Sequence, residues 1–370
     1  MATMAQGIRL ALHYAEENLG LTDVFGEDVG PPLGGVFTAT QGLKCAWNSP
    51  LDERGIIGTA IGIAMAGGRP VAEIQFCDYI FNTIDLLKLA GNMRWSSYGS
   101  WGLPLVVKTP VGSGIHGSIY HSHSFESVAS HIPGWKIVCP SNAIDAYGLM
   151  LSAIADPDPV LFLEPKALLR AKTPDLIPGE PADEKELNRR INKPVIGDTT
   201  GWQPDWPDVQ PAFVPIGQAA IRRAGTNATV VSYARTLPLA VKAADQLASE
   251  GLSFDVIDLR TLYPIDMPTL RKSLHKTRRL LVINEDTEVT NYGEHLIRRL
   301  TEEFFYDLEV PPRLLAGKDV PGIGMAWPLE AASVPQAQDV TEAMRDIATQ
   351  PGRAAAGEWP LIPETFFRNR

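Results

Sequence analysis

Cysteine is scarce in this sequence, and long apolar runs are missing. The 370 residues include three cysteines, Cys45, Cys77 and Cys139, an odd number without a C-x-x-C spacing. Neither a disulfide framework nor a zinc site is therefore indicated. No apolar stretch approaches the roughly 18 residues that a membrane span needs, and the N-terminus lacks the charged start and apolar middle of a signal peptide. We expect a globular protein of the cytoplasm or an organelle matrix, without a membrane partner.

Positive charge is also in short supply. The chain has 33 lysines and arginines against 43 aspartates and glutamates, a formal net charge of -10. Surfaces that bind nucleic acid concentrate basic residues, and the absence of a basic stripe argues against a nucleic-acid partner. No G-x-G-x-x-G or G-x-x-x-x-G-K-[ST] motif follows a strand pattern. The chain therefore has no phosphate-binding loop of its own, and a free-standing NAD-binding dehydrogenase is disfavoured.

Two successive α/β patterns fill most of the chain. Short apolar runs alternate with helical patterns in both halves, which predicts two domains with parallel-rich sheets covered by helices. The fold class is therefore α/β. The predicted strands are residues 23–26, 70–75, 105–108, 136–139, 160–163, 228–233, 254–258 and 279–284. The predicted helices are residues 7–18, 78–93, 143–155, 237–250, 267–275 and 293–305.

The composition changes between the two halves. Residues 173–215 are rich in proline, aspartate and tryptophan and have little periodicity, which is typical of a connecting segment. Trp359, Phe366 and Phe367 make the C-terminus apolar, so we expect the tail to lie on the surface or on a partner. The predicted divisions are a first domain over 1–180, an interdomain segment over 181–212, a second domain over 213–347 and a tail over 348–370.

Glu53 stands at the start of a helical pattern that is apolar on every side, so we expect a buried helix. Gly58, Gly62 and Ala66 recur every four residues and leave one face nearly bare, which would let another helix pack closely. A glutamate in this place is ordinarily a cap that the helix dipole stabilises. A partly desolvated glutamate is also suited to sharing a proton with a ligand nitrogen. The pattern leaves both interpretations open.

Gln75, Phe76 and Tyr79 lie where a predicted strand gives way to a helix. Ligands of open parallel sheets bind at this carboxyl edge, and an aromatic side chain there can pack on a flat heterocycle. The pattern fits about equally well if Phe76 and Tyr79 are ordinary core residues.

Three of the chain's seven histidines, His116, His121 and His123, fall within eight residues of a glycine-rich loop. They could bind zinc, but no nearby acid or cysteine completes a regular tetrahedral set. Proton transfer is therefore the favoured role for these imidazoles.

These features resemble one protein family, the beta subunits of heterotetrameric, thiamine-diphosphate-dependent 2-oxoacid dehydrogenases. The resemblance covers most of residues 1–345, in order. Its segments are GEDVG at 26–30, GGVF at 34–37, LDERG at 51–55, EIQFCDYIF at 73–81, YHSHS at 120–124, HIPG at 131–134, FLEPK at 162–166, IDLRTLYPID at 257–266 and the helix after Tyr292. It implies a transketolase-like pyrimidine-binding domain followed by a transketolase C-terminal domain.

The resemblance implies roles for single residues. Glu53 would hydrogen-bond the pyrimidine ring of thiamine diphosphate, and Gln75, Phe76 and Tyr79 would border the cofactor. His121 matches a family histidine that moves protons and helps to pass the acyl group to a lipoyl group. The substrate pocket would be lined by His121, His123 and Tyr120.

The resemblance also implies cofactors and partners. In this family the alpha subunit holds the diphosphate and Mg²⁺, so a chain without a phosphate motif fits one half of a shared site in an alpha2beta2 heterotetramer. The face formed by Gly58, Gly62 and Ala66 would be a close helix contact there. Further partners are a small 2-oxoacid, the substrate, and the lipoyl domain and core of a dihydrolipoyl acyltransferase. A potassium ion, as in relatives, would bind to Leu105, Val106, Ala153, Asp156 and Asp158.

Two residues depart from the family pattern: His123 replaces a common glutamine, and Arg54 stands where glutamine or a small residue is common. YHSHS and FLEPK are more similar to branched-chain enzymes than to pyruvate dehydrogenases, which favours 2-oxoisovalerate and its homologues. Pyruvate and acetoin dehydrogenases share the architecture and remain alternatives. A catalytically silent scaffold subunit, in which Glu53 is merely a cap, is another, although the presence of both Glu53 and His121 argues against it.

Overall fold

The computed structural model describes residues 1–172, 175–194, 196, 197 and 201–352. The chain divides into two compact units. The first comprises Met1–Gln218 with Arg260–Ile265, and the second comprises Ala219–Leu259 with the chain from Asp266 onward. The domain boundaries at 180, 212 and 347 stay a prediction. The three aromatic residues of the tail lie outside the described residues.

The described residues form twelve strands and eleven α-helices. The strands are β1 (Asp23–Gly26), β2 (Ala46–Asn48), β3 (Pro70–Glu73), β4 (Val106–Val111), β5 (Lys136–Val138), β6 (Val160–Pro165), β7 (Ala220–Arg223), β8 (Ala228–Ser232), β9 (Phe254–Asp258), β10 (Thr261–Tyr263), β11 (Leu280–Thr287) and β12 (Arg313–Gly317). The helices are α1 (Met4–Asn18), α2 (Glu53–Met65), α3 (Ile84–Ser96), α4 (Glu126–Ser130), α5 (Ala143–Ala155), α6 (Glu184–Ile191), α7 (Thr236–Leu247), α8 (Met267–Thr277), α9 (Tyr292–Phe304), α10 (Trp327–Ser333) and α11 (Ala337–Thr349).

Both units contain a parallel-rich sheet, as predicted. The sheet of the first unit has the order β10-β5-β6-β4-β3-β1-β2, and its pairs are parallel except for β10 with β5. The sheet of the second unit has the order β12-β11-β8-β9-β7 and is parallel except for β7 with β9. The carboxyl ends of β1, β3, β4 and β6 therefore meet at one edge of the first sheet.

The predicted strands 23–26 and 254–258 and the predicted helix 143–155 match β1, β9 and α5 residue for residue. The predicted helix 78–93 is instead divided into a 3-10 helix, Cys77–Thr83, and α3. The strands that were not predicted, β2, β7, β10 and β12, are the four sheet edges. Each is three to five residues long and only partly buried, so none has the burial on both faces that marks a central parallel strand.

Helix α6 was also not predicted, and it lies within the segment expected to connect the domains. Its apolar signal consists of Leu187 and Ile191 among charged neighbours, yet both are fully buried in the core of the first unit. Asp183 caps the helix by accepting a hydrogen bond from the Lys185 N–H at 2.9 Å. Arg9 on α1, itself buried, donates to the Asn192 side chain just after α6. This part of the segment therefore packs onto the first unit.

Helix α2 is not buried on every side, so that expectation was wrong for the single chain. Ile56, Ile57, Ala60, Ile61 and Ala64 are buried, whereas the glycine face is exposed. A Cβ atom added at Gly58 or Gly62 would meet nothing within 4 Å. The apolar pattern runs around the whole of α2, but the rest of the described chain packs against only one side of the helix. No described helix is long and apolar enough to cross a bilayer.

Candidate functional site

The 3-10 helix after β3 brings an aromatic pair against an imidazole. The Tyr79 hydroxyl lies 2.9 Å from His121 Nε2, and His121 Nδ1 lies 3.2 Å from the Gly117 carbonyl oxygen. Because a carbonyl only accepts, neutral His121 carries its proton on Nδ1, and Nε2 accepts from Tyr79. The Phe76 ring meets His121 edge to face at 4.4 Å. Phe76, Tyr79 and His121 therefore form one half-buried cluster, with Gln75 on the same segment.

Glu53 begins α2 and is half-buried. The N-cap position belongs to Asp52, and no side-chain hydrogen bond caps this helix, so Glu53 does not act as an ordinary cap. One carboxylate oxygen, Oε2, accepts a long hydrogen bond of 3.4 Å from the Asn82 side chain. The other oxygen, Oε1, has no hydrogen-bond partner among the described residues. That oxygen is available to a ligand.

Arg54 ties the start of α2 to the start of α3. Its guanidinium binds both carboxylate oxygens of Asp85, at 2.6 and 2.9 Å, and donates to the Asn82 carbonyl oxygen at 2.8 Å. Asn82 in turn donates to Glu53. The residue that departs from the family pattern therefore links the acid to the segment that carries Phe76 and Tyr79. We refer to Arg54, Asp85 and Asn82 as the Arg54 clamp.

Glu27 is a further candidate residue that the sequence analysis did not single out. It directly follows β1, and burial, together with the nearby charges of Asp28 and Glu53, raises its pKa. Burial also raises the pKa of Tyr79, with further contributions from Asp78, Glu27 and Glu53. These mutual effects place Glu27 in the same electrostatic neighbourhood as Glu53 and Tyr79. The GEDVG motif at the carboxyl edge of a strand was the signal that could have revealed it.

His123 and Tyr120 are more exposed than His121. The His123 ring packs edge to face on Phe81 at 5.2 Å, its backbone N–H donates to Asp78 at 3.2 Å, and Tyr120 is 63% exposed. Among the described residues, the group that brings three possible metal-ligand atoms together is His13, Glu16 and Glu17. The three loop histidines are not part of this group, and their role in proton transfer stays a prediction. All three cysteines lie in the described part of the chain, and none of them forms a disulfide.

Comparison with known proteins identifies the family. Residues 1–172 match the family described as "Transketolase, pyrimidine binding domain", and residues 217–340 match "Transketolase, C-terminal domain". The chain is 36% identical to the 2-oxoisovalerate dehydrogenase subunit beta of Bacillus subtilis, over 92% of this chain and 97% of that protein. The chain belongs to the beta-subunit family of the 2-oxoacid dehydrogenases.

Other members of the beta-subunit family are similarly related. The pyruvate dehydrogenase E1 component subunit beta of Bacillus subtilis is 32% identical over 93% of this chain and 98% of that protein. The 3-methyl-2-oxobutanoate dehydrogenase subunit beta of Mycobacterium tuberculosis is 37% identical over 86% and 84%. A solved structure titled "Split gene transketolase, inactive beta4 tetramer" has a TM-score of 0.68 at 17% identity and covers 95% of this chain and 100% of that one. This last likeness concerns the fold.

In this beta-subunit chain, a buried ion cluster lies in the sheet next to the site. Lys108 on β4 contacts Glu73 on β3 and lies 3.2 Å from Glu164 on β6, and all three are almost completely buried. Burial raises the pKa of Glu164, whereas Glu164 and Glu73 outweigh the effect of burial on Lys108 and raise its pKa. Glu73 also accepts from the Val36 N–H at 3.1 Å. The cluster thus fixes the loop after β1, and sequence reasoning missed it.

The residues expected to hold potassium in the beta subunit lie close together, but their oxygens already have partners. The Leu105 carbonyl accepts from Val160, and the Ala153 carbonyl accepts from Asp156. Both carboxylate oxygens of Asp156 lie 2.6 Å from Lys136 Nζ. Asp158 is likewise paired, with Arg94. Neither acid needs an ion for charge balance, and the potassium site stays a prediction.

Proposed function

We propose that this chain supplies the pyrimidine-binding, proton-transferring half of a thiamine-diphosphate-dependent 2-oxoacid dehydrogenase that acts on branched-chain 2-oxoacids. The observation that carries the proposal is the placement of Glu53, with a free carboxylate oxygen, in the same neighbourhood as Tyr79 and His121. Support for the substrate comes from the names of relatives that are 36 to 37% identical.

The side chains of this site fit one half of the cofactor, its pyrimidine ring. A carboxylate oxygen without a protein partner can receive a hydrogen bond from, or share a proton with, a ring nitrogen, and the half-buried Phe76 and Tyr79 offer aromatic surface to a flat ring. When bound, thiamine diphosphate supplies the electron sink that allows a 2-oxoacid to lose carbon dioxide. Glu53 would hold the proton at the pyrimidine ring nitrogen. Phe76, Tyr79 and Gln75 would orient the ring.

His121 is the residue proposed to move protons at the substrate. Its Nε2 accepts from the Tyr79 hydroxyl and its Nδ1 donates to Gly117, so both edges of the imidazole are held. A histidine held in this way can take or give a proton at a defined position. Tyr120 and His123, which are more exposed, would line the entrance that a substrate or lipoyl group uses.

The other half of the site is proposed to come from an alpha subunit. The sequence has no phosphate-binding motif, so the diphosphate and its Mg²⁺ would be held there, in an alpha2beta2 heterotetramer. The exposed face of Gly58, Gly62 and Ala66 on α2 is the proposed close contact. A lipoyl domain of a dihydrolipoyl acyltransferase would accept the acyl group.

Pyruvate is the second candidate substrate, because the chain is also 32 to 36% identical to pyruvate dehydrogenase beta subunits. One or two methylenes change substrate discrimination by only about 1–3 kcal/mol. The test co-expresses the chain with its alpha subunit and compares the decarboxylation of 2-oxoisovalerate and of pyruvate with the cleavage of acetoin, followed as released acetaldehyde. We expect the highest kcat/KM with 2-oxoisovalerate. A higher value for pyruvate or acetoin would reassign the substrate, and a stable assembly inactive on all three would favour the silent scaffold.

A further inference from the structure

Lys166 is buried without a compensating partner. It directly follows β6 and is 2% exposed. Its Nζ is buried and has no hydrogen-bond acceptor within the part of the chain that the structure describes. Nζ lies over the Phe76 ring, 5.7 Å from its centroid. A cation–π contact offsets only a part of the free energy lost when an ammonium leaves water.

Lys108 on the neighbouring strand β4 shows how this protein balances the charge of a buried lysine that has a structural role. Lys108 is equally buried, and two carboxylates surround its ammonium. Lys166 has no such acid, although Glu164 is only two residues away, near the end of β6, and is engaged by Lys108. Buried polar groups in folded proteins are nearly always hydrogen-bonded, and an exception points to a water or a ligand.

The place of Lys166 favours a ligand of the site. Its ammonium faces Phe76, and the same ring contacts His121 at 4.4 Å. The missing acceptor therefore belongs beside the aromatic–imidazole cluster. A substrate carboxylate is the strongest acceptor that a 2-oxoacid brings to such an ammonium. A cofactor phosphate is a poorer match, because the chain lacks a phosphate-binding loop.

We propose that Lys166 binds the carboxylate of the 2-oxoacid substrate; this assignment rests on the proposed function. The contact is made as the substrate binds and disappears when the carboxylate leaves as neutral carbon dioxide. Lys166 therefore contributes to substrate affinity, and its loss should raise KM without lowering kcat. In the absence of substrate, the buried Lys166 ammonium lowers the stability of the folded chain, a cost that natural proteins often carry at functional sites.

The test measures Lys166→Met and Lys166→Arg in the enzyme co-expressed with its alpha subunit. We expect Lys166→Met to raise KM for 2-oxoisovalerate by about 10- to 100-fold, the loss of a hydrogen bond to a charged group, and Lys166→Arg to restore part of it. Cofactor affinity, followed by tryptophan fluorescence, should not change, and the melting temperature should not fall. The control is Lys172→Met, which removes an exposed lysine paired with Glu184.

Two unreactive inhibitors, one with a carboxylate and one without, distinguish binding of the carboxylate from binding of the rest of the substrate. The inhibition constant of 3-methylbutanoate should rise in Lys166→Met, whereas that of its uncharged amide should stay constant. An unchanged KM in Lys166→Met would overturn the assignment, and so would weaker subunit assembly with normal KM, which would place an acid of the partner at Nζ. A wild-type assembly inactive on every 2-oxoacid would overturn the proposed function itself, and the assignment with it.

Discussion

Among single residues, an acid, a phenol and an imidazole carry the proposed chemistry. Glu53 keeps one carboxylate oxygen free, and Tyr79 and His121 hold each other at 2.9 Å. None of these contacts follows from composition. They arise because the segments after β3 and β4 and the start of α2 meet at one edge of the first sheet.

Replacing Glu53 by Gln removes the group that shares a proton with the ring nitrogen. We expect activity of the assembled enzyme to fall by at least ~10²-fold, the usual contribution of a positioned acid or base, with no loss of folding. Steady-state decarboxylation and circular dichroism measure the two effects. Glu184→Gln is the matched control, because Glu184 also begins a helix, α6. Equal losses in both variants would contradict a special role for Glu53.

The titration of Tyr79 tests whether Glu27 belongs to the site. The pKa of Tyr79 is raised, first by burial and then by the negative charges of Asp78, Glu27 and Glu53. A negative neighbour disfavours phenolate, so Glu27→Gln should lower the pKa of Tyr79 towards its ordinary value. Phenolate absorbance, taken as the difference from Tyr79→Phe in each background, measures the shift. A pKa that stays constant or rises would remove Glu27 from this neighbourhood.

At the scale of elements, the Arg54 clamp joins two helix starts. Arg54 on α2 and Asp85 on α3 form a bidentate pair, and Asn82 lies between that pair and Glu53. Exposed ion pairs contribute little to stability. The clamp should therefore show its effect in the position of Glu53 relative to the aromatic segment.

Breaking the clamp should weaken cofactor binding and lower kcat while leaving stability nearly unchanged. We expect this for Arg54→Gln and for Asp85→Asn, and partial rescue when the charges are exchanged in Arg54→Asp with Asp85→Arg. Cofactor titration and thermal unfolding are the measurements. The control pair is Arg223 and Asp245, which is bidentate and similarly exposed in the second unit. A double exchange no better than the single variants would count against the clamp.

The elements also show which parts of the fold a sequence can reveal. The central parallel strands were predicted because burial on both faces leaves a continuous apolar run. The edge strands β2, β7, β10 and β12 were missed, since each has only three to five residues and is covered on one side of its sheet alone. Helix α6 was missed because Leu187 and Ile191 are its whole apolar signal. Glu53, Phe76, Tyr79 and His121 were found through local motifs and the family resemblance.

Other parts of the site depend on contacts distant in the sequence. The buried cluster joins residues from β3, β4 and β6, and each member alone resembles an ordinary charged residue. Lys166 gives the same lesson: FLEPK was recognised as a motif, but no pattern states that its ammonium is buried without an acid. Such features become visible only when the strands are placed side by side.

At the scale of the whole molecule, the open face of α2 is the clearest sign of an absent partner. Gly62→Leu should leave the chain folded, because an added Cβ meets nothing within 4 Å, yet it should obstruct close helix packing in the assembly. Sedimentation with the alpha subunit and thermal unfolding of the chain alone measure the two effects. Ala337→Leu, at another exposed helical position, is the control. Normal assembly of Gly62→Leu would exclude this face as a contact.

We propose that this chain supplies one half of an active site shared with an alpha subunit. The most direct measurement is thiamine-diphosphate- and Mg²⁺-dependent decarboxylation of 2-oxoisovalerate by this chain alone, by the alpha subunit alone, and by the two mixed at increasing ratios. We expect activity only in the mixture, rising until the two chains are equimolar. Full activity of the alpha subunit alone, or of this chain alone, would contradict the proposal.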